Sequence, residues 1–350
     1  MNTEIIKIKE KTIDQPKTQK ALRHAADIIL NGGLVVFPTE TVYGLGGDAT
    51  SSDAARKIYG AKGRPADNPL IIHVSTPEEA EKYAYTSPLY YKLAEYFMPG
   101  PLTVIMKAKP SIPIETRGGL DTVAIRCPSS VIAHTLIAMV GRPIAAPSAN
   151  LSGSPSPTVA SHVIDDMMGR VDAIIDGGEC SVGLESTIVK IEPGNKLVLL
   201  RPGVITEDDI ASVTPVTLAS AITEALADGE VAQSPGMKYR HYAPKAPFEL
   251  LDGDIEKAAE YIKGCGGRVG VICYTDDVEP LRRMLPDAEL FALGARADEE
   301  EQARQLFFIL READKKNYDK IFAPLPDTRG IGLALYNRMI RAAAHKIIRL

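Results

Sequence analysis

The sequence is short of the features that settle a protein's class quickly. Its four cysteines, Cys127, Cys180, Cys265 and Cys273, are too scattered for a CxxC zinc site, and nothing marks a secreted disulfide framework. They read as mostly buried thiols in a reducing cytoplasm. No stretch approaches the ~20 apolar residues a membrane helix needs. The opening MNTEIIKIKEK mixes charges without an apolar core, so neither a membrane span nor a signal peptide is expected. Positive charge is also scarce. With 40 Lys and Arg against 45 Asp and Glu, the net charge of −5 argues against a protein whose main work is holding nucleic acid by its phosphates. Any cationic site must be local. No repeat of 20–50 residues appears, and no GxGxxG fingerprint follows the first strand of a βαβ unit, which argues against an ordinary dinucleotide-binding oxidoreductase.

What the chain has is length and apolar content. Its 350 residues, 45% hydrophobic, predict two packed domains rather than one core or a disordered chain. Composition changes at 231–247, VAQSPGMKYRHYAPKAP, where apolar periodicity stops and Lys238, Tyr239, Arg240, His241, Tyr242 and Lys245 cluster among three prolines. The expected division is 1–230 with a core at 20–205, a linker at 231–247, and 248–350. Aromatics interleaved with cations suit a lid over a planar anion, and a plain linker equally.

Apolar spacing predicts a helix over 18–30 stopped by Gly32-Gly33, the strand LVVF, and a helix over 52–59. A cationic loop and the strand LIIHV come next. Thr76, Pro77 and Glu79 predict a helix opened by a capping box. Strands are expected in MPGPLTVIMKA, TVAIRCP, RPIAAPSAN, AIIDGG, ESTIVKIE and KLVLLRPG, with a helix in VIAHTLIAMV. Beyond the linker, FELLDG, RVGVICY, ELFALG and KIFAPLP alternate with helices over 254–263, 278–285, 298–315 and 331–346, the pattern of a small parallel sheet with right-handed crossovers. That part carries no phosphate fingerprint and reads as a supporting or regulatory domain.

The chemistry concentrates at strand ends. In GAKGRPADNPLIIH, Lys62 and Arg64 share parity, so an extended loop would turn both toward one face, where a point charge and a planar fork could grip a triphosphate or a carboxylate. A solvated basic turn is the bland reading of the same residues. Arg126, Ser148, Asn150, Ser186 and Arg201 each close an apolar run. The loop Pro38–Gly47 spaces hydroxyls two apart and adds glycines that let backbone amides approach a ligand. The Ser-, Pro- and Gly-rich stretch after Ala146 suits a phosphate or ribose. His73 could equally be a core histidine, and Asn68 and Asn150 turn formers. Cys127 has no base placed beside it and reads as a buried thiol.

Taken in order, PTETVYGLG, KGRPADNPL with IHV, PGPLT, VAIRCP, APSAN and ESTIV resemble the YrdC-type threonylcarbamoyl-AMP synthases over about 20–205, and the C-terminal part resembles the extra domain of that family's two-domain form. The resemblance implies an α/β protein, with a YrdC-like twisted, mixed open sheet around a concave cavity and a smaller Rossmann-like parallel domain. It implies a cytoplasmic nucleotidyltransferase that makes threonylcarbamoyl-AMP and pyrophosphate from L-threonine, bicarbonate or carbon dioxide, and ATP with magnesium. The product feeds the transferase machinery that builds threonylcarbamoyladenosine in tRNA. Such chemistry needs no side-chain nucleophile, only charge neutralisation and alignment. By resemblance, Lys62 and Arg64 are catalytic. Thr39, Thr41, His73, Arg126, Ala146 and Ser186 surround threonine and its carbamate, with Arg126 gripping the carboxylate. Lys62, Arg64, Asn68, Thr122, Ser148, Asn150, Ser156, Arg201 and Tyr242 surround ATP. No acidic pair has convincing metal-ligand spacing. Two readings stay open beside this one: a carbamoyl-transfer enzyme, which should carry acylphosphatase-like or zinc-finger segments absent here, and an RNA-binding module, which would need a long basic stripe.

Overall fold

A computed structural model describes residues 2–224, 233–235 and 242–350. They form two compact units. The first runs from the N-terminus through 224. The second is built on 242–350 and also takes in Gly153–Pro155 and Val182–Leu184.

The first unit holds one mixed sheet of eleven strands. In chain order these are β1 (Glu4–Lys7), β2 (Val35–Phe37), β3 (Gly44–Asp48), β4 (Ile71–His73), β5 (Leu102–Lys107), β6 (Thr122–Arg126), β7 (Ile144–Ala145), β8 (Ala173–Asp176), β9 (Thr187–Glu192), β10 (Lys196–Arg201) and β11 (Thr217–Leu218). Their order across the sheet is β1-β8-β2-β3-β7-β4-β6-β5-β9-β10-β11. The predicted helix near residue 18 spans Pro16–Leu30, and VIAHTLIAMV is helical over Val131–Val140. Leu22, Ala25 and Ile29 of the first pack with Ile132, Leu136 and Ile137 of the second and with Val35 and Phe37 of β2. Each such buried aliphatic side chain contributes roughly 1.5–3 kcal/mol.

Two helices end alike, and the second ending matters for the site. After Leu30, Gly32 sits at φ +79°, with Gly32 N donating to Ile29 O and Gly33 N to Ile28 O. After Lys62, Gly63 sits at φ +61°, with Gly63 N donating to Gly60 O and Arg64 N to Tyr59 O. Both are Schellman endings, which need the left-handed conformation glycine adopts without penalty. The helix over Ser52–Lys62 is therefore longer than its expected 52–59, and Lys62 lies in its last turn. The extended loop that would have aimed Lys62 and Arg64 at one face does not exist.

Other sequence signals also gave way. Pro77–Lys82 is a 3₁₀ helix whose Thr76 makes no side-chain cap; Glu79 instead accepts from Ser75 N and Ser75 Oγ. The carboxylate found a partner nearer in space than the expected N-cap.

The second unit is a parallel five-stranded sheet. Its strands β12 (Phe248–Asp252), β13 (Val269–Cys273), β14 (Glu289–Ala292), β15 (Lys320–Pro324) and β16 (Ile347–Arg349) are ordered β14-β13-β15-β12-β16. Strand β16 is missing from the sequence reading, which carried the last helix to 346. That helix ends at Ala342, and Ala344 and His345 take positive φ in the turn that releases the strand.

Replacing Gly63 by alanine meets no neighbouring atom, so only the left-handed backbone penalty of about 1–2 kcal/mol should appear. Urea unfolding of Gly63→Ala is expected to show that loss, with the m-value unchanged.

Candidate active site

The sheet register builds a polar row. His73 on β4 pairs with Arg126 on β6, Arg126 with Thr103 on β5, Thr103 with Ile188 on β9, and Ile188 with Arg201 on β10. Directly paired residues project from one face, so five neighbouring strands present one line across about four inter-strand spacings, ~19 Å. Ile188 is the apolar exception. Ser186, two positions earlier, fills the gap: its hydroxyl lies 2.8 Å from Thr103 Oγ1 and accepts from Arg201 Nη2 at 3.1 Å, while Arg201 Nε donates to Ser186 O at 3.0 Å. The next row, Ile71, Ala124 and Ile105, packs with Ile188 and Leu200 as an apolar floor. Thr122 lies beyond it, opposite Lys107 and four residues from Arg126 on the same face.

Arg126 is the charged centre of the row, and it is buried. Its guanidinium donates to Thr41 Oγ1 at 2.8 Å and lies 2.8 Å from Glu40 Oε1, with both side chains under a tenth exposed. The Arg126 Nη2 and Glu40 Oε1 contact is an ion pair by distance, yet neither atom has an aligned hydrogen-bond partner. Burial pushes the Glu40 carboxyl up. The Arg126 charge and backbone hydrogen bonds outweigh it and hold the group below the usual carboxylate range. Thr39 Oγ1 contacts Thr41 Oγ1 at 2.8 Å and donates to Val42 O, closing the turn that carries Glu40. A cavity of about 620 Å³ has Thr39, Glu40 and Ser130 in its wall. The resemblance assigns Arg126 to the threonine carboxylate; in this structure its guanidinium lies against Glu40.

His73 is 3% exposed, and its Nδ1 lies 3.3 Å from Ile144 O, a carbonyl that can only accept. Nδ1 therefore carries the proton. Burial, then the neighbouring Arg126 charge, pushes the ring's pKa down to about 3, so the imidazole is neutral at physiological pH.

A second cluster forms around Lys62. Its buried ammonium donates to Ser148 O and Asn150 O, both at 2.5 Å, and to Asn150 Oδ1 at 3.3 Å, while Ser148 Oγ donates to the same Oδ1. Ser148 itself bridges Gly44 of β3, and Ala146 N donates to Ile71 O of β4. The APSAN turn is thus held from both sides of the sheet. Arg64 instead donates to Asn68 O and Pro69 O, bracing its own loop. Ser156 Oγ donates to Glu185 Oε1 at 2.5 Å.

The register brings His73, Arg126, Ser186 and Arg201 together, with Thr39 and Thr41 joined through Arg126. Lys62, Ser148 and Asn150 meet in the second cluster, beside Ala146. Thr122 stands two rows from Arg126. Tyr242 belongs to the second unit, where its ring packs against Phe307 at 5.1 Å with Arg338 above it. Lys238, Tyr239, Arg240 and His241, the centre of the expected lid, lie outside the described residues. Two participants escaped the sequence reading. Thr103 looks like an ordinary strand residue until the register places it. Glu40 lies between Thr39 and Thr41 in a loop, and nothing local marks the arginine 86 residues further along that it meets.

Removing either partner of the buried pair should cost about 3–5 kcal/mol, because a charge is left alone. Glu40→Gln with Arg126→Met together should cost less than the sum of the singles in a double-mutant cycle read by urea unfolding. His73 carries a pH signature. The unfolded chain takes up its proton near pH 6.5 and the folded chain only near 3, so acidification through that window loses stability at about 1.4 kcal/mol per pH unit. His73→Gln should remove one proton's worth of slope between pH 6.5 and 5, above the range where Glu40 begins to contribute. Identical slopes for the two proteins would show that the ring is not held neutral.

Comparison with known proteins agrees with this architecture. A family model named for Sua5, YciO and YrdC, described as telomere recombination, matches residues 27–203, and a threonylcarbamoyl-AMP synthase C-terminal domain matches 205–344. The threonylcarbamoyl-AMP synthase of Pyrococcus abyssi is 43% identical over 340 residues, covering 94% of this chain and 95% of the relative. The synthase of Bacillus subtilis is 43% identical over 336 residues, covering 94% of each. The crystal structure of P. abyssi Sua5 complexed with L-threonine superposes with a TM-score of 0.89 at 42% identity, covering 99% of this chain and 100% of that one. Matched by both models in sequence order, this chain belongs to the Sua5/YciO/YrdC family, as a two-domain enzyme of the threonylcarbamoyl-AMP synthase type.

Proposed function

We propose that this chain makes threonylcarbamoyl-AMP and pyrophosphate from L-threonine, bicarbonate or carbon dioxide, and ATP, supplying a transferase that completes threonylcarbamoyladenosine in tRNA. The observation that carries the reading is the row His73, Arg126, Thr103, Ser186 and Arg201 across five strands. It holds fixed donors and positive charge at one level of a buried sheet face, which is what a reaction between anions requires.

In the first step the neutral amine of threonine attacks the carbon of carbon dioxide, forming an N–C bond, and its proton leaves to solvent. A carbamate oxygen then attacks the α-phosphorus of ATP, and the bond to the β-phosphate oxygen breaks to release pyrophosphate. The second step brings two anions together and the first needs amine and carbon held in line, so the protein's work is neutralisation and alignment. Arg126 and Ser186 face the amino acid, with Thr39 and Thr41 setting the guanidinium through the turn. Neutral His73 offers a hydrogen-bonding edge without adding charge. Arg201, Lys62, Arg64, Asn68, Thr122, Ser148, Asn150 and Ser156 serve the nucleotide, Lys62 by holding the APSAN turn in shape. Tyr242 is assigned to ATP on resemblance alone. The Cys127 thiol, which burial pushes up to about 12, is no nucleophile at neutral pH, in keeping with chemistry that needs none.

Magnesium enters with the substrate, as MgATP. Among the described residues, no three His, Cys, Asp or Glu sit together to hold an ion, so these residues do not make a metal cage and no step is routed through one. The net charge of −5 is the ground for expecting no tight nucleic-acid binding. No helix among the described residues is long and apolar enough to cross a membrane.

With ATP, labelled bicarbonate and single amino acids, pyrophosphate release should depend on threonine. Release independent of the amino acid, or phosphate release from carbamoyl phosphate, would overturn the reading in favour of another transfer reaction. Arg201→Gln should lower turnover about 10²-fold, the effect of losing one preorganised charged donor, while urea unfolding confirms a folded sheet.

A further inference from the structure

The second unit has a cavity of its own, of about 310 Å³, at the carboxyl ends of its parallel strands. Its position follows from the winding. From β12 the chain crosses toward β13 and β14, and from β15 it crosses the other way to β16, while β12 and β15 lie side by side. That is a topological switch point, where open parallel sheets leave a crevice that binds ligands. Leu251 and Gly253 beyond β12 and Ala323 and Pro324 at the end of β15 line it. The volume lies at the lower end of the range for small-molecule sites.

The floor is apolar, made by Ile262, Val271, Leu281 and Phe322. The rim is acidic. Asp254 caps the helix Ile255–Cys265 by accepting from Lys257 N at 2.9 Å, and Asp277 accepts from Arg296 Nη2 at 2.7 Å, which leaves a second oxygen on each carboxylate. Asp276 accepts from Arg296 N, and the Arg296 guanidinium lies 4.2 Å from the Tyr274 ring centroid. The one cation of the rim is thus already engaged by an acid and an aromatic face.

These features select a ligand class. In dinucleotide folds a glycine-rich first turn admits the pyrophosphate, and an acid about 20 residues on binds ribose hydroxyls. Here the first turn reads Leu251-Asp252-Gly253-Asp254, with a single glycine, and a Cβ on that glycine would lie 2.8 Å from Leu350 Cβ. The glycine therefore serves packing of the chain end. Asp254 lines the cavity at the turn where phosphate would go and repels it, while Asp277, also in the lining, follows at about the interval of the ribose acid. The ligand must have a flat apolar body and hydrogen-bond donors, and no anion. We propose that this cavity binds a nucleoside lacking its phosphates, with the base on the apolar floor and the ribose hydroxyls donating to Asp254 and Asp277. The site stands apart from the catalytic reading above.

Equilibrium dialysis of the full-length protein with labelled adenosine, in the presence of saturating ATP, tests it. One saturable site that neither ATP nor AMP displaces is expected. Ala258→Phe, which fills the cavity wall, and Asp277→Asn, which removes an acceptor charge, should each weaken adenosine binding at least tenfold. Threonine-dependent pyrophosphate release should be unchanged in both. Should Ala258→Phe fail to fold by thermal melting, Asp277→Asn decides alone. Displacement of adenosine by ATP, equal binding by wild type and Asp277→Asn, or preference for an apolar amine such as benzylamine over adenosine would overturn the proposal. Loss of pyrophosphate release in the wild type would count against the catalytic reading and leave this one standing.

Discussion

The first unit depends on a guanidinium placed where water does not reach. Burying a charge costs several kcal/mol, and a protein tolerates it only when a counter-charge and hydrogen bonds are supplied in place. Arg126 closes β6, and Glu40 must follow it into the interior. The turn that carries Glu40 must then be fixed from within, and the two threonine hydroxyls on either side of it do so.

Lys62 solves a related problem differently. Two backbone carbonyls and an amide oxygen surround its ammonium. Carbonyls can be surrendered to a more strongly charged partner at lower cost than a carboxylate can. The helix ending at Gly63 places Lys62 there, so a backbone conformation open to few residues decides where a charge sits. The two cationic clusters are thus built differently, one against a buried carboxylate and one within a cradle of oxygens that shapes the turn beside it.

Much of this was legible in the amino-acid order, and the rest was not, for physical reasons. Strands that end in Arg126 and Arg201, and the one that follows Ser186, announce themselves through apolar runs, because burial on a sheet imposes that pattern locally. The alternation of the second unit predicts its parallel sheet for the same reason. The row through five strands cannot be read locally, since register is set by partners distant in sequence, and Thr103 gains its meaning only from Arg126 on one side and Ser186, 83 residues away, on the other. The parity argument for Lys62 and Arg64 failed because it assumed an extended backbone across Gly63, where the glycine instead closes a helix. The capping box failed because Ser75 offered Glu79 two donors at once. Each failure is a case in which a nearby competitor for the same hydrogen bond or conformation prevailed over a plausible local motif.

The two sheets also differ in what their strand ends select. Strands of the first unit end in His73, Arg126 and Arg201, and the adjoining turn leans on Lys62, so anionic groups are favoured there. Strands of the second end in or lead to Asp252, Asp254, Asp276 and Asp277, with one engaged arginine among them. A triphosphate would meet repulsion at that rim over distances of a few ångströms, where opposing charges act with little screening. That crevice therefore disfavours a nucleotide that keeps its triphosphate. If the second crevice reads any part of it, that part is what remains once the phosphates are gone, and the two units divide one ligand's chemistry by the sign of the residues at their strand ends.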